Sequence, residues 1–172
     1  MASTYTLISA NTLSSSAASV TFSAIPSTYT DLVLRVSGRT DAAGTVSSGY
    51  IQMNSVTSTY SYTFIRSDGA SATSGNDSAS YAGFYIGGID GGGATASTFS
   101  NHEIYIPSYS ASQAKPVGQI SSMETNATTA YTFGVAGLCS STAAISALTI
   151  NLNGGVNFVS GSSFYLYGLK SS

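Results

Sequence analysis

Charge is what this sequence has least of. Asp, Glu, Lys and Arg make up 7% of its 172 residues, against about 25% in an ordinary soluble domain. Five basic residues face seven acidic ones, for a formal net charge of −2. With no basic stripe to neutralise phosphates, nucleic acid is not expected as a partner. Tryptophan is absent and Cys139 is the single cysteine. An intrachain disulfide is therefore impossible, and an immunoglobulin-type sandwich, with its indole and cystine, is disfavoured. His102 is the only histidine, too few for a zinc site of the His/Cys type. No apolar run approaches the roughly 18 residues of a membrane span. The opening Met1-Ala-Ser-Thr-Tyr lacks the basic and apolar segments of a signal peptide.

What remains is polar without being charged. Ser, Thr, Gly, Asn and Tyr carry the polarity, and such surfaces repel one another little, which favours association. Disorder is excluded, because 42% of the residues are hydrophobic and 11% aromatic, too much apolar surface to stay solvated. A chain of this length builds one core, so residues 1–172 read as a single domain.

Period-2 alternation recurs along the whole chain, and no long stretch keeps a helical period. The sequence predicts roughly nine to eleven short strands. Thr4–Ser9 and Ala18–Phe22 come first, then a break at Ile25-Pro26. Asp31–Arg39 sets Leu32, Leu34 and Val36 against Val33, Arg35 and Ser37. Ile51 and Met53 alternate with Tyr50 and Gln52, and Tyr60–Arg66 places Tyr60, Tyr62 and Phe64 on one face. Ser67–Ser80 has no apolar anchor and reads as an exposed loop; Gly87–Gly93, after a strand at Tyr81–Ile86, reads as a flexible connection. Strands resume at Phe99–Pro107, Lys115–Glu124, Tyr131–Val135, Ala144–Leu152 and Phe164–Leu169. Many antiparallel strands joined by glycine-rich turns predict an all-β fold, an antiparallel two-sheet sandwich with jelly-roll-like connections.

Chemistry is thinly represented. His102 stands between Asn101 and Glu103, which an extended strand turns to the opposite face, so no triad forms locally. A half-buried, hydrogen-bonded strand histidine is the plainer reading. Seven acids are scattered without a marked pair for glycoside hydrolysis. Asp68, Asp77 and Asp90 are of the type that suits a hard cation, but their spacing matches no calcium loop, and they read as solvated turn residues. Ser112-Gln-Ala-Lys115 has the S-x-x-K spacing, yet Pro116 denies it the helix that motif opens. Asn76-Asp-Ser and Asn126-Ala-Thr match glycosylation sequons that so Ser/Thr-rich a chain produces by chance. The chain is expected to be no enzyme and to need no cofactor.

Contact residues are a further expectation, beside ordinary cross-strand tyrosine pairs that stabilise the sheet. Twelve tyrosines outnumber seven phenylalanines, and exposed tyrosine gives rigid, amphipathic contact at low entropic cost. Tyr60, Tyr62, Tyr165 and Tyr167 occupy alternate strand positions and are expected to face outward; Asp68, Asn76 and Asp90 are expected in contact loops.

Three segments carry a family resemblance: YTLISANTLSSSAASVTFSAIPSTYTDLVLRVSGRT, EIYIPSYSASQAKPVGQISS and AISALTINLNGGVNFVSGSSFYLYGLK. They resemble small virion proteins and fibre-tip domains of tailed phages, especially marine and cyanobacterial ones, and NFVSGSSFYLYGL is the most specific of them. The resemblance spans nearly all of the chain except the divergent middle, about 42–98. It implies a jelly-roll-like structural protein of the virion, with other virion proteins and copies of itself as partners, as a homo-oligomer such as a trimer. A capsid decoration or cement protein is the first expectation, since no shaft repeat or coiled coil occurs in the sequence. A tail module that recognises host surface glycans is the alternative.

Overall fold

A computed structural model describes residues 5–126 and 129–170, and the backbone alone at 77–81. The described residues hold twelve strands and no helix. In chain order these are β1 (Tyr5–Thr12), β2 (Ser19–Phe22), β3 (Asp31–Gly38), β4 (Val46–Met53), β5 (Tyr60–Ser67) and β6 (Ala72–Tyr81). There follow β7 (Phe84–Asp90), β8 (Ser100–Ile106), β9 (Lys115–Glu124), β10 (Ala130–Cys139), β11 (Leu148–Leu152) and β12 (Ser163–Leu169). Thr4, expected to open the first strand, and Ala127-Thr128 of one sequon lie outside the described residues.

Two antiparallel sheets result. The large one runs β1-β12-β3-β8-β9-β10-β5-β6, and the small one runs β2-β11-β4-β7. The expected all-β sandwich is thus what the chain forms. Its connections are nested. The chain passes between the sheets at every step except β5 to β6, β8 to β9 and β9 to β10. Four strands of each sheet, β1-β12-β3-β8 and β2-β11-β4-β7, thereby follow a jelly-roll-like path. The hairpins β5–β6 and β9–β10 are inserted into that path and widen the large sheet beyond β8.

Alternation explains the layers. Leu32, Leu34 and Val36 of β3, Ile104 and Ile106 of β8, and Phe164 and Leu166 of β12 are buried in one core with Val20, Phe22, Ile51, Met53, Leu148 and Ile150 of the small sheet. Phe158 meets Phe164 edge-on at 5.0 Å between centroids. Cys139 is buried and free, as a small apolar residue would be.

Two expected loops are partly strand. Ser67–Ser80 holds all of β6 but its last residue, and β6 pairs with β5 through a turn at 68–71. Backbone bonding to β5 supplies what its side chains lack. Gly87–Asp90 is buried strand, whereas Gly91–Gly93 form a turn in the expected connection; glycine here serves close approach, since a Cβ on Gly88 would stand 2.5 Å from the Met123 sulfur. Gly87 has a φ of 79°, which favours glycine. Lacking side chains there, β7 passes close beneath β9 and β10.

Tyr60 is fully buried, with its hydroxyl 2.8 Å from the Met53 amide, which donates to it. Burial also pushes the phenol's pKa upward. Tyr60→Phe should cost about 1–2 kcal/mol in urea unfolding, because a buried N–H loses its acceptor.

Candidate functional site

The outer face of the large sheet is built by the alternate residues that the core does not take. Its rows can be read across the register. One runs Ala10–Tyr165–Arg35–Glu103–Ile120–Gly134–Ile65–Ser74. The next runs Leu7–Tyr167–Val33–Tyr105–Gly118–Ala136–Thr63–Asn76. Seven large apolar side chains are exposed among the described residues, and six stand on this face: Tyr5, Leu7, Ile65, Tyr105, Ile120 and Leu138. Ile65 and Ile120 are 68% and 63% exposed. Monomer surfaces seldom gather apolar side chains on one side without use.

Charge on these two rows is confined to one neutral pair. Arg35 Nη2 lies 2.8 Å from Glu103 Oε2 and Arg35 Nε donates to the same oxygen at 2.9 Å. The guanidinium also stands 5.6 Å and 5.9 Å from the Tyr5 and Tyr167 ring centroids, cation–π contacts that fix its plane. A shallow concavity of about 510 Å³ opens beside the pair, lined by Asn101, Glu103, Ile120, Ser122 and Thr132 as well as Arg35.

The expected contact residues separate. Tyr165 and Tyr167, half-buried, lie on this face, and Tyr167 packs edge-on with Tyr5. Asn76 is exposed on β6 opposite Thr63. Asp68 closes the β5–β6 turn, accepting bonds from the Ala70 and Ser71 amides at 2.9 and 2.8 Å, which hold its carboxyl below the usual carboxylate value. Four expectations need correction, the first being that Asn76 lies on strand β6 and not in a loop. Tyr60 and Tyr62 do share a face, but that face points inward: Tyr60 is in the core and Tyr62 stacks on Tyr85 at 5.0 Å. Asp90 is 1% exposed and belongs to β7, not to a loop. Burial raises its pKa, and its Oδ1 accepts the Glu124 amide at 3.1 Å.

Buried Arg39 and half-buried Glu124 serve the connection 91–99. Arg39 Nη1 donates to the Thr95 and Thr98 carbonyls at 2.7 and 3.1 Å, and Nη2 to those of Gly92 and Ala94 at 3.2 and 3.0 Å. Glu124 accepts from the Thr95 amide and, at 2.9 and 3.0 Å, from the Thr95 and Thr98 hydroxyls. Lys115, also buried, donates to the Ala111 carbonyl at 2.7 Å and to that of Gln113. No three metal-ligating side chains gather among the described residues; the Asp77 carboxylate lies outside them.

Arg35, Glu103, Ile65, Ile120, Tyr105 and Gly118 were missed as site residues. Alternation along β3, β8 and β9 carried the signal, but choosing the outward face required the register. No family model, curated protein or solved structure matches the chain.

Proposed function

We propose that the chain is a non-enzymatic structural component of a tailed-phage particle, a decoration or cement protein of the capsid acting through many repeated protein–protein contacts. One observation carries this reading: a broad, almost uncharged sheet face that gathers six of the seven exposed large apolar side chains. A weak contact of this kind becomes strong when symmetry repeats it over a shell. The sequence resemblance to small virion proteins points the same way. Virions lacking the chain should lose infectivity faster on heating or in low salt than complete ones, and regain resistance when purified protein is added back. Unchanged particle stability would overturn the reading.

The tyrosines beside the Arg35–Glu103 concavity favour one alternative, a tail module recognising host glycans. Rigid aromatic rings next to hydrogen-bonding Asn101 and Glu103 suit sugar faces. In that case loss of the chain abolishes adsorption and leaves particle stability intact.

A further inference from the structure

We infer that the outer face of the large sheet is where two copies of this chain meet, face to face, about a two-fold axis running along the strands between β3 and β8. This rests on the reading of the chain as an assembly module and names the surface and partner it uses.

The middle of β9 marks the surface. Ordinary placement is reversed there. Gln119 and Ser121 point into the sandwich, and Gln119 Oε1 and Nε2 and Ser121 Oγ are buried with no hydrogen-bond partner among the described residues. Ile120 between them faces outward. Breaches of local pattern collect at working surfaces, and a partner on the outer face covers Ile120.

Charge selects the axis. A half-turn about a line parallel to the strands carries each cross-sheet row onto itself in reverse order. Placed between β3 and β8, it sets Arg35 against Glu103 of the second copy, and Glu103 against Arg35. A line across the strands along this row would instead set Arg35 on Arg35, like against like. Both existing bonds of the pair end on Oε2, so Nη1 and Oε1 take part in neither and suit the reciprocal contact.

Shape agrees with that axis. Tyr167 comes to lie over Gly118 of the second copy and Leu7 over Ala136, large against small. Tyr165 enters the concavity above Ile120. Six strands overlap, β1 through β10 in sheet order. At about 4.8 Å per strand, and about 3.3 Å for each of about seven residues, they cover roughly 670 Å² per copy. The total of roughly 1,300 Å² falls within the 1,200–2,000 Å² or so of stable interfaces. β5 and β6 project past the pair and leave Ile65 outside it.

Sedimentation equilibrium of the full chain, from about 1 to about 100 µM, tests the pairing. A dimer is expected. Gly118→Lys should weaken it at least about tenfold without unfolding the monomer, because a Cβ at Gly118 meets no atom within 4 Å. Arg35→Glu and Glu103→Arg should each be monomeric alone and form a heterodimer when mixed, since only the mixture pairs opposite charges across the axis. A wild-type monomer, a trimer, or a dimer indifferent to Gly118→Lys and to mixing would overturn the inference. A monomer that binds glycan through this face would overturn it in favour of the sugar-recognition reading. Particle stability is read separately, so loss of the pairing and loss of the virion role are distinguishable.

Discussion

Acidification from pH 6.5 to 4 should remove about 3 kcal/mol of folding stability, and His102 should be the main cause. The ring is fully buried; its Nδ1 lies 3.0 Å from the Ile86 carbonyl, to which it must donate, and its Nε2 lies 2.9 Å from Ser100 Oγ. The single Ser100 proton is also directed at the Gly38 carbonyl, 2.8 Å away. Burial pushes the imidazole pKa down to about 4 from 6.5. The unfolded chain therefore binds more protons than the folded one between those two values, and stability rises with pH across that window. A shift of this size corresponds to roughly 1.36 kcal/mol per pH unit, which gives the 3 kcal/mol stated. In melting experiments the midpoint should fall by about 6–12 °C over the window. His102→Gln should flatten the profile there. Asp90 acts in the opposite sense: its raised pKa makes stability fall as pH rises above 3.8, so the variant should show a shallow reversed slope. Asp41, held ionised by Asn157, and Asp68 act in the His102 direction, but only near and below 3.8. An unchanged slope in His102→Gln would exclude the histidine as the source.

Arg39→Ala should destabilise the fold by about 3–5 kcal/mol, the usual effect of deleting one partner from a buried charged cluster. Four backbone carbonyls from Gly92 to Thr98 would lose their donor together. Asp90 would also lose the positive charge that offsets its burial. A midpoint drop of about 6–20 °C is expected by calorimetry. Arg39→Lys should recover only part of it, because an ammonium has three donors and no planar fork. If alanine at 39 cost less than about 1 kcal/mol, the connection 91–99 would be held by Glu124 instead.

Much of the sandwich was legible in the sequence, and the reasons differ by segment. β3 was readable because Leu32, Leu34 and Val36 share the core side while Arg35 marks the other. β6 was not, because hydropathy reads burial and this edge strand is held to β5 by main-chain bonds. Gly87–Gly93 misled because glycine signals both turn and close approach, and only the neighbouring Met123 distinguishes them. For Tyr60 and Tyr62 the shared face was right and its direction wrong, since alternation gives parity but not which side is covered. At Gln119 and Ile120 ordinary hydropathy pointed the wrong way. The candidate surface therefore emerged only from register, as rows assembled from residues up to about 160 positions apart in the chain, such as Leu7 beside Tyr167.

The place of β12 in the large sheet also governs how the protein can be made. β12 lies between β1 and β3 and pairs with both, Tyr5 opposite Leu169. During synthesis on the ribosome, β1 has no strand to join until β12, about 150 residues further along the chain, has emerged. Topologies dominated by such distant pairings fold slowly, and the open strand borders present meanwhile invite aggregation. The nested path that closes the sandwich thus delays completion of the large sheet until β12 is free to pair.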